Sequence, residues 1–245
     1  RAKESLQSMT GRDGLISESF LDIGSGSGLF SLAARMLGAR VYSFDYDPES
    51  VRCTMELKKR YFPGDPGWDI EQASILDEAL IKVPGRFDIV YSWGVLHHTG
   101  NLRRALENAA AFVKPDGLLC LSIYNDQGWP SDIWKFIKKT YNHMPGILRW
   151  AVLLPCFVRL RGPMLIKGLL KGHPLRYWKE YSSDRGMSPW HDVVDWVGGW
   201  PFEVARPEEI FDFFFTRGFQ LIRLKTCAGG KGCNEFVFKR IVAQA

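Results

Sequence analysis

From residue 20 to residue 125, short apolar runs alternate with longer stretches whose apolar positions recur at helical spacing. That alternation predicts strands interleaved with helices, an α/β fold whose parallel sheet is covered on both faces. A strand ending at Asp22 leads through a turn into a helix over 29–37, which Gly38 stops, and a second strand follows over 40–45. Asp47-Pro48 opens the next helix, the acid as N-cap and the proline at the first helical position, and it runs to about residue 61. Residues 62–68, rich in Pro and Gly, predict a loop, and 69–76 (DIEQASIL) a third strand and its exit. The run 87–92 (FDIVYS) is almost continuously apolar, as a strand buried on both faces should be. Asn101 caps a helix to about residue 112, and Lys114-Pro115-Asp116-Gly117 turns into a fifth strand over 118–124. Towards the end, Pro207-Glu208-Glu209 starts a helix that Gly218 ends; 219–225 and 235–239 then read as strands joined by a 226–234 loop. Residues 1–19 predict a helix and a linker.

The first strand, turn and helix (20–34, FLDIGSGSGLFSLAA) carry the ligand chemistry. Glycines at 24, 26 and 28 let the chain turn tightly and let a ligand lie against the main chain. The N–H groups of the following helix start then face a carboxylate or phosphate. A dinucleotide fingerprint, Gly-x-Gly-x-x-Gly, would need its third glycine at position 29, where the chain has Leu29. Asp45, at the end of the second strand, stands where a carboxylate receives both ribose hydroxyls of a nucleoside cofactor of either family. Tyr46, next to it, has a ring that can lie on an adenine.

The pattern present is Asp-x-Gly-x-Gly-x-Gly from Asp22, and it resembles the first motif of the class I S-adenosylmethionine (SAM) dependent methyltransferases. FDIVYSWGVLHH (87–98) followed by FVKPDGLLCLSIYN (112–125) is similar to the fourth and fifth motifs of the small-molecule branch, near the polyprenyl-hydroxyphenol methylases of the ubiquinone pathway. The resemblance covers roughly 20–125 and the C-terminal strands. It implies a doubly wound, mostly parallel seven-stranded sheet (Rossmann-like), with an antiparallel seventh strand between the fifth and sixth. It implies SAM as cofactor and S-adenosylhomocysteine as product, held by Asp22, Gly24, Ser25, Gly26, Gly28 and Asp45, with Tyr46 beside the adenine. Ser92, Trp93 and Gly94 would border the methionine end, with His97 next to them. Ser74 and Ile75 fall at the adenine edge; Ser74 stands where the family often has an acid, and Asp77 lies a little further on. A nicotinamide dehydrogenase, the rival enzyme class, is disfavoured by Leu29 and by the KPDG turn.

Composition is that of a globular protein large enough for a full core. Five cysteines without a C-x-x-C pair predict reduced thiols and a cytoplasmic setting. No secretory signal opens the sequence, and from a start at Arg1 the native N-terminus is expected upstream. The net charge of +5 is uneven: residues 133–180 hold ten basic residues and one acid, a local +9 that leaves −4 elsewhere. This stretch belongs to an insertion, 126–200, read as a helical lid within a single methyltransferase domain. A basic, aromatic helix is expected over 133–141. Over 147–170, apolar runs mix with Arg and Lys, and Pro155 and Pro163 interrupt them, so no membrane span is predicted. Three readings of the basic stretch stay open: a solvated face, attachment to a membrane surface, and nucleic-acid binding. Membrane attachment is motivated by Trp150, Leu153, Leu154, Phe157, Leu160, Leu165, Ile166 and Leu169 interleaved with basic residues. Nucleic acid is disfavoured, because the fourth motif lacks the Asn/Asp-Pro-Pro-aromatic signature of base-amino methylases.

Methyl transfer from a sulfonium is an in-line displacement, so the protein supplies orientation, a dry pocket and a base for the acceptor proton. His97 and His98 at the fourth-strand edge are candidates for that base, against a purely structural role. His191 is another: the run 187–196 (MSPWHDVVDW) sets its imidazole beside Asp192, Asp195 and aromatic rings, or else forms a capped surface helix. Cys227, Cys233 and Asn234 either line an acceptor pocket or belong to a flexible connection. No zinc spacing is present, and no metal is expected. The expected activity is methyl transfer to an oxygen of a small or lipid-linked acceptor, such as a phenolic quinone precursor or a sugar hydroxyl. A non-catalytic SAM-binding module and an RNA methyltransferase are the alternatives.

Overall fold

Alternation along each apolar run is what divides the molecule into layers. The structure, a computed structural model, describes residues 1–77, 85–173 and 188–241. Its strands are β1 (Ser19–Ile23), β2 (Arg40–Asp45), β3 (Trp68–Gln72), β4 (Phe87–Trp93), β5 (Val113–Tyr124), β6 (Phe219–Lys225) and β7 (Cys233–Arg240). Its helices are α1 (Ala2–Thr10), α2 (Leu29–Met36), α3 (Pro48–Tyr61), α4 (Leu102–Ala111), α5 (Trp129–His143), α6 (Trp150–Leu170), α7 (Pro189–Gly198) and α8 (Pro207–Phe215). By its contacts the chain forms two units: Arg1–Gln127 with Glu203–Ala245, and Gly128–Phe202.

In the first unit the seven strands make one sheet of order β3-β2-β1-β4-β5-β7-β6, parallel except for β7, which pairs antiparallel with both β5 and β6. The doubly wound topology and the inserted antiparallel strand are those the motifs implied. Period-two alternation sends neighbouring residues to opposite faces. Leu21, Val90, Leu119 and Leu121 pack with Leu106 of α4 and Phe214 of α8 on one side. Phe20, Ile89, Leu118 and Cys120 pack with Leu6 of α1 and Leu32 of α2 on the other. The predicted caps are in place: the Asp47 carboxylate accepts from the Glu49 and Ser50 amides, and Asn101 Oδ1 from the Arg104 amide.

The third strand begins at Trp68, one residue earlier than expected, and its exit follows Gln72, with the Ala73 amide still bonding the Asp45 carbonyl at 3.0 Å. Two expectations are corrected. The Lys114–Gly117 stretch is not a turn before β5 but lies inside it, with Asp116 at φ 60° and a register shift against β4 between Phe87 and Ile89. Turn residues here build a bulge. Pro155 and Pro163 do not interrupt the apolar stretch; both lie within α6 and both are exposed. Carbonyls that lose a partner to an exposed proline can turn to water, which lets the helix run on.

Among the described residues, the second unit contains α5, α6 and α7. Pro189, Val193 and Val197 form the buried stripe of α7, at the i, i+4 spacing of one helix face. Lys138 of α5 is fully buried; its ammonium donates to the Trp196 carbonyl and lies 4.3 Å from the Trp196 ring centroid and 4.8 Å from that of Phe202. Asn142, one turn on, donates to the Gly198 carbonyl at 3.1 Å, so α5 caps the C-terminal end of α7. Residues 174–187 lie outside the described residues, and with them the last part of the predicted basic stretch and Met187.

Burial lowers the Lys138 ammonium to about 8 from an ordinary 10.5, with the Asp195 charge opposing the drop. The unfolded chain therefore holds more protons between those values, and stability gains as pH rises through that window. Lys138→Met is expected to abolish this gain, since a buried charge is costly against an apolar replacement of similar volume. Thermal unfolding of both proteins at intervals from pH 7 to pH 10.5 checks it.

Candidate functional site at the carboxyl edge of the sheet

β1 and β4 are neighbours from which the winding proceeds in opposite directions, and open α/β sheets bind ligands at the carboxyl ends of such strands. The sequence places its candidate residues there. Gly24 leaves β1 with φ 74°, and a Cβ on it would stand 2.5 Å from the Val95 methyl groups. Gly26, at φ 55°, has no atom within 4 Å of where a Cβ would be. The first position is closed by protein, whereas the second faces open ground. The Gly26 amide donates to Asp45 Oδ2 at 2.8 Å, and the Asp47 amide to Asp45 Oδ1 at 2.9 Å. Each oxygen keeps a further lone pair for a ligand hydroxyl. Tyr46, beside it, is 77% exposed, as a platform for a flat ring requires.

Beneath the turn Asp22 is buried, and Ser31 of α2 donates to its Oδ2 at 2.5 Å. Ser31 also bonds Ser43 of β2 at 2.7 Å, and the Trp68 indole donates to Ser43 at 2.9 Å. Burial pushes the Asp22 carboxyl up to about 7; the Ser31 hydroxyl opposes the rise and the Asp45 charge adds to it. Ser25 bonds Thr54 of α3 at 3.2 Å, and the same Thr54 hydroxyl donates to the Gly26 carbonyl at 3.2 Å. Thr54 had escaped the sequence reading. Its signal is spacing, seven residues and so two turns after the N-cap Asp47, on the inward face with Val51.

At the end of β4, the buried Ser92 hydroxyl donates to the Ile23 carbonyl at 3.2 Å, Trp93 stacks on Tyr91 with centroids 5.6 Å apart, and Gly94 turns at φ 77°. At the exit of β3, Ser74 and Asp77 hold each other: the Ser74 amide donates to the Asp77 carboxylate at 3.3 Å, and the Asp77 amide to the Ser74 carbonyl at 3.0 Å. The Ser74 hydroxyl accepts from the Leu76 amide, and the Ile75 carbonyl is taken by Asn108. All these residues come to one edge.

The histidines separate. His97 is buried, its Nδ1 accepts from the Tyr124 amide at 3.3 Å, its ring lies 3.9 Å from that of Tyr124, and its carbonyl accepts from the Glu203 amide. That accepting Nδ1 places the neutral proton on Nε2. His98 is half-buried and edge-on to Tyr124 at 5.3 Å. His191 and Asp192 belong to the second unit and are not partners of one another. The exposed His191 bonds Ser188, the N-cap of α7, through Nδ1 at 2.7 Å, and Asp192 pairs with Arg161 of α6. Asn234, buried in β7, donates to Asn125 Oδ1 at 2.9 Å, while its own oxygen accepts from the Cys227 amide at 3.2 Å. The 226–234 connection is thus tied to the end of β5, and the five cysteines are free thiols.

Comparison with known proteins places the chain in a family and shows its fold in other proteins. The profile of a family described as "Methyltransferase domain" matches residues 6–160, more than half of the chain. The chain belongs to that methyltransferase family. Among curated relatives, the ribosomal protein L11 methyltransferase of Citrifermentans bemidjiense is 34% identical over 139 residues, 54% of this chain and 41% of that protein. The ubiquinone biosynthesis O-methyltransferase of Methylobacterium nodulans is 29% identical over 107 residues, 44% of this chain and 41% of that protein. The chain spans about two fifths of the length of the curated relatives it matches. Two solved structures share the fold over nearly all of this methyltransferase. One is a putative SAM-dependent methyltransferase from Listeria monocytogenes (TM-score 0.58, 13% identity, 98% of each chain). The other is the magnesium protoporphyrin IX methyltransferase from Synechocystis PCC 6803 with bound S-adenosylhomocysteine (TM-score 0.57, 14% identity, 98% of this chain and 81% of that one).

The folded chain holds the Asp22 proton more tightly than the unfolded chain does. Its stabilising share is therefore full below pH ~4 and drains as pH rises to about 7. Asp22→Asn is expected to flatten that decline, which melting temperatures of the two proteins between pH 4 and pH 8 would show.

Proposed function

We propose that this methyltransferase takes its methyl group from SAM and delivers it to an oxygen of a small or lipid-linked acceptor. The observation that carries the cofactor half is the open ground over Gly26 beside the Asp45 carboxylate. A glycine without neighbours, a carboxylate with lone pairs to spare and an exposed aromatic ring together suit a nucleoside with a charged tail. Asp45 would take the ribose hydroxyls, Tyr46 and the Ser74–Ile75 exit the adenine, and the Gly24–Gly28 turn with Ser92, Trp93 and Gly94 the methionine end. Bound SAM supplies an electrophilic methyl on a sulfonium. The protein's own part is to orient the acceptor, exclude water and receive a proton.

Oxygen as the accepting atom is supported by the relatives named as ubiquinone biosynthesis O-methyltransferases. For the proton, His191 offers Nε2 while Ser188 holds Nδ1, whereas the Nδ1 of His97 is spent on the main chain. His191 is accordingly the proposed base, and His97 a residue that positions the end of β5. The alternatives, a SAM-binding module without turnover and an RNA methyltransferase, part from this reading in the same assays.

Asp45→Ala is expected to weaken SAM at least about tenfold in calorimetric titration, the loss of two hydrogen bonds to a carboxylate. Unchanged affinity would remove the nucleoside reading of this edge. Incubation with methyl-labelled SAM and an extract, followed by partition into organic, polar and RNA fractions, is expected to put label in an organic or small polar fraction. His191→Ala should keep SAM affinity and lower that transfer by about 10²-fold or more; an unchanged rate would take His191 out of the mechanism.

A further inference from the structure

Apolar residues recur all round α6, interrupted by Arg159, Arg161 and Lys167, and the described residues of its unit cover one side. Leu153, Cys156 and Gly168 are buried, and Arg161 turns in to Asp192. On the opposite side of the helix Leu154, Val158, Ile166 and Leu169 are 52, 61, 58 and 65% exposed, with exposed Ala151 and Pro155 on the same face. Helical spacing lines these residues into a stripe about 27 Å long. Exposed Ile147 and Leu170 continue the apolar surface at its two ends. A helix apolar all round belongs in a core or against lipid.

Charge selects the occupant. Residues 133–173 include eight basic residues and no acid. Lys138 and Arg161 are engaged within the unit, while Lys135, Lys139, Arg159 and Lys171 are exposed. A second copy of the chain would bring like charges together, and a nucleic acid would leave the apolar stripe in water. An anionic bilayer surface answers both features, acyl chains for the stripe and headgroups for the cations. Among the described residues no helix is long and apolar enough to cross a membrane. We infer that α6 lies in the plane of an anionic lipid surface, with Leu154, Val158, Ile166 and Leu169 facing the acyl chains. This goes beyond methyl transfer and can be tested without it.

The test is cosedimentation of the full chain with phosphatidylcholine vesicles, with and without phosphatidylglycerol. The expected result is binding to the anionic vesicles, weakened by salt, and reduced at least about tenfold in Leu154→Glu/Ile166→Glu. Both positions are exposed, so the variant should keep its far-ultraviolet circular dichroism and melting temperature. A variant that failed to fold would be replaced by Arg159→Glu/Lys171→Glu, which should cost the anionic preference alone. Absence of wild-type binding to anionic vesicles would overturn the proposal, as would undiminished binding by a folded Leu154→Glu/Ile166→Glu variant. A dimer dissolved by these substitutions, or RNA retention lost with them, in a protein that leaves vesicles alone, would equally overturn it.

Discussion

A file of four side chains under the glycine turn decides how the ligand edge is built. The Asp22 carboxyl oxygen accepts from Ser31, and the Trp68 indole can only donate. Between these ends the hydroxyls of Ser43 and Ser31 must both point towards Asp22. The file ties β3, β2, α2 and β1 together at one depth in the sheet. Removing any member leaves a buried polar atom without its partner, a loss usually larger than the bond itself contributes. Above it, Asp45 and Thr54 hold the turn from two further elements, so the main chain at Gly26 is fixed before any ligand arrives. A ligand edge prepared in this way spends little binding energy on ordering the protein.

Local chemistry was legible in the sequence and distant pairing was not. The three glycines, Asp45 at a strand end, and the caps Asp47 and Asn101 each act within a few residues of themselves, so composition and spacing reveal them. Thr54 meets Gly26 across 28 positions, Glu203 receives the Leu102 amide across 101, and Asn234 meets Asn125 across 109. Nothing in a single sequence marks such partners. Two misreadings share one cause, that Gly and Pro signal a departure from regular geometry without saying which. Asp116-Gly117 became a bulge within β5 instead of a turn before it, and Pro155 and Pro163 stayed inside α6 because their side of the helix meets solvent. Likewise, the His191-Asp192 adjacency suggested a coupled pair. Along a helix, however, neighbours point about 100° apart, and each residue found a different partner.

The ends of the inserted segment have a consequence of their own. Asn125 and Ala205 sit side by side in a parallel bridge, the Ala205 amide bonds the Tyr124 carbonyl at 3.0 Å, and the Asp126 amide bonds the Ala205 carbonyl at 3.2 Å. The chain thus leaves the sheet and returns to it at a single seam, stitched shut by main-chain bonds that any residue but proline can make. Closing a longer or shorter excursion over such a seam changes the entropy only logarithmically. The sheet is therefore indifferent to what hangs between these two points. An excursion of another length or sequence would leave the seven-stranded sheet and its carboxyl edge as they are.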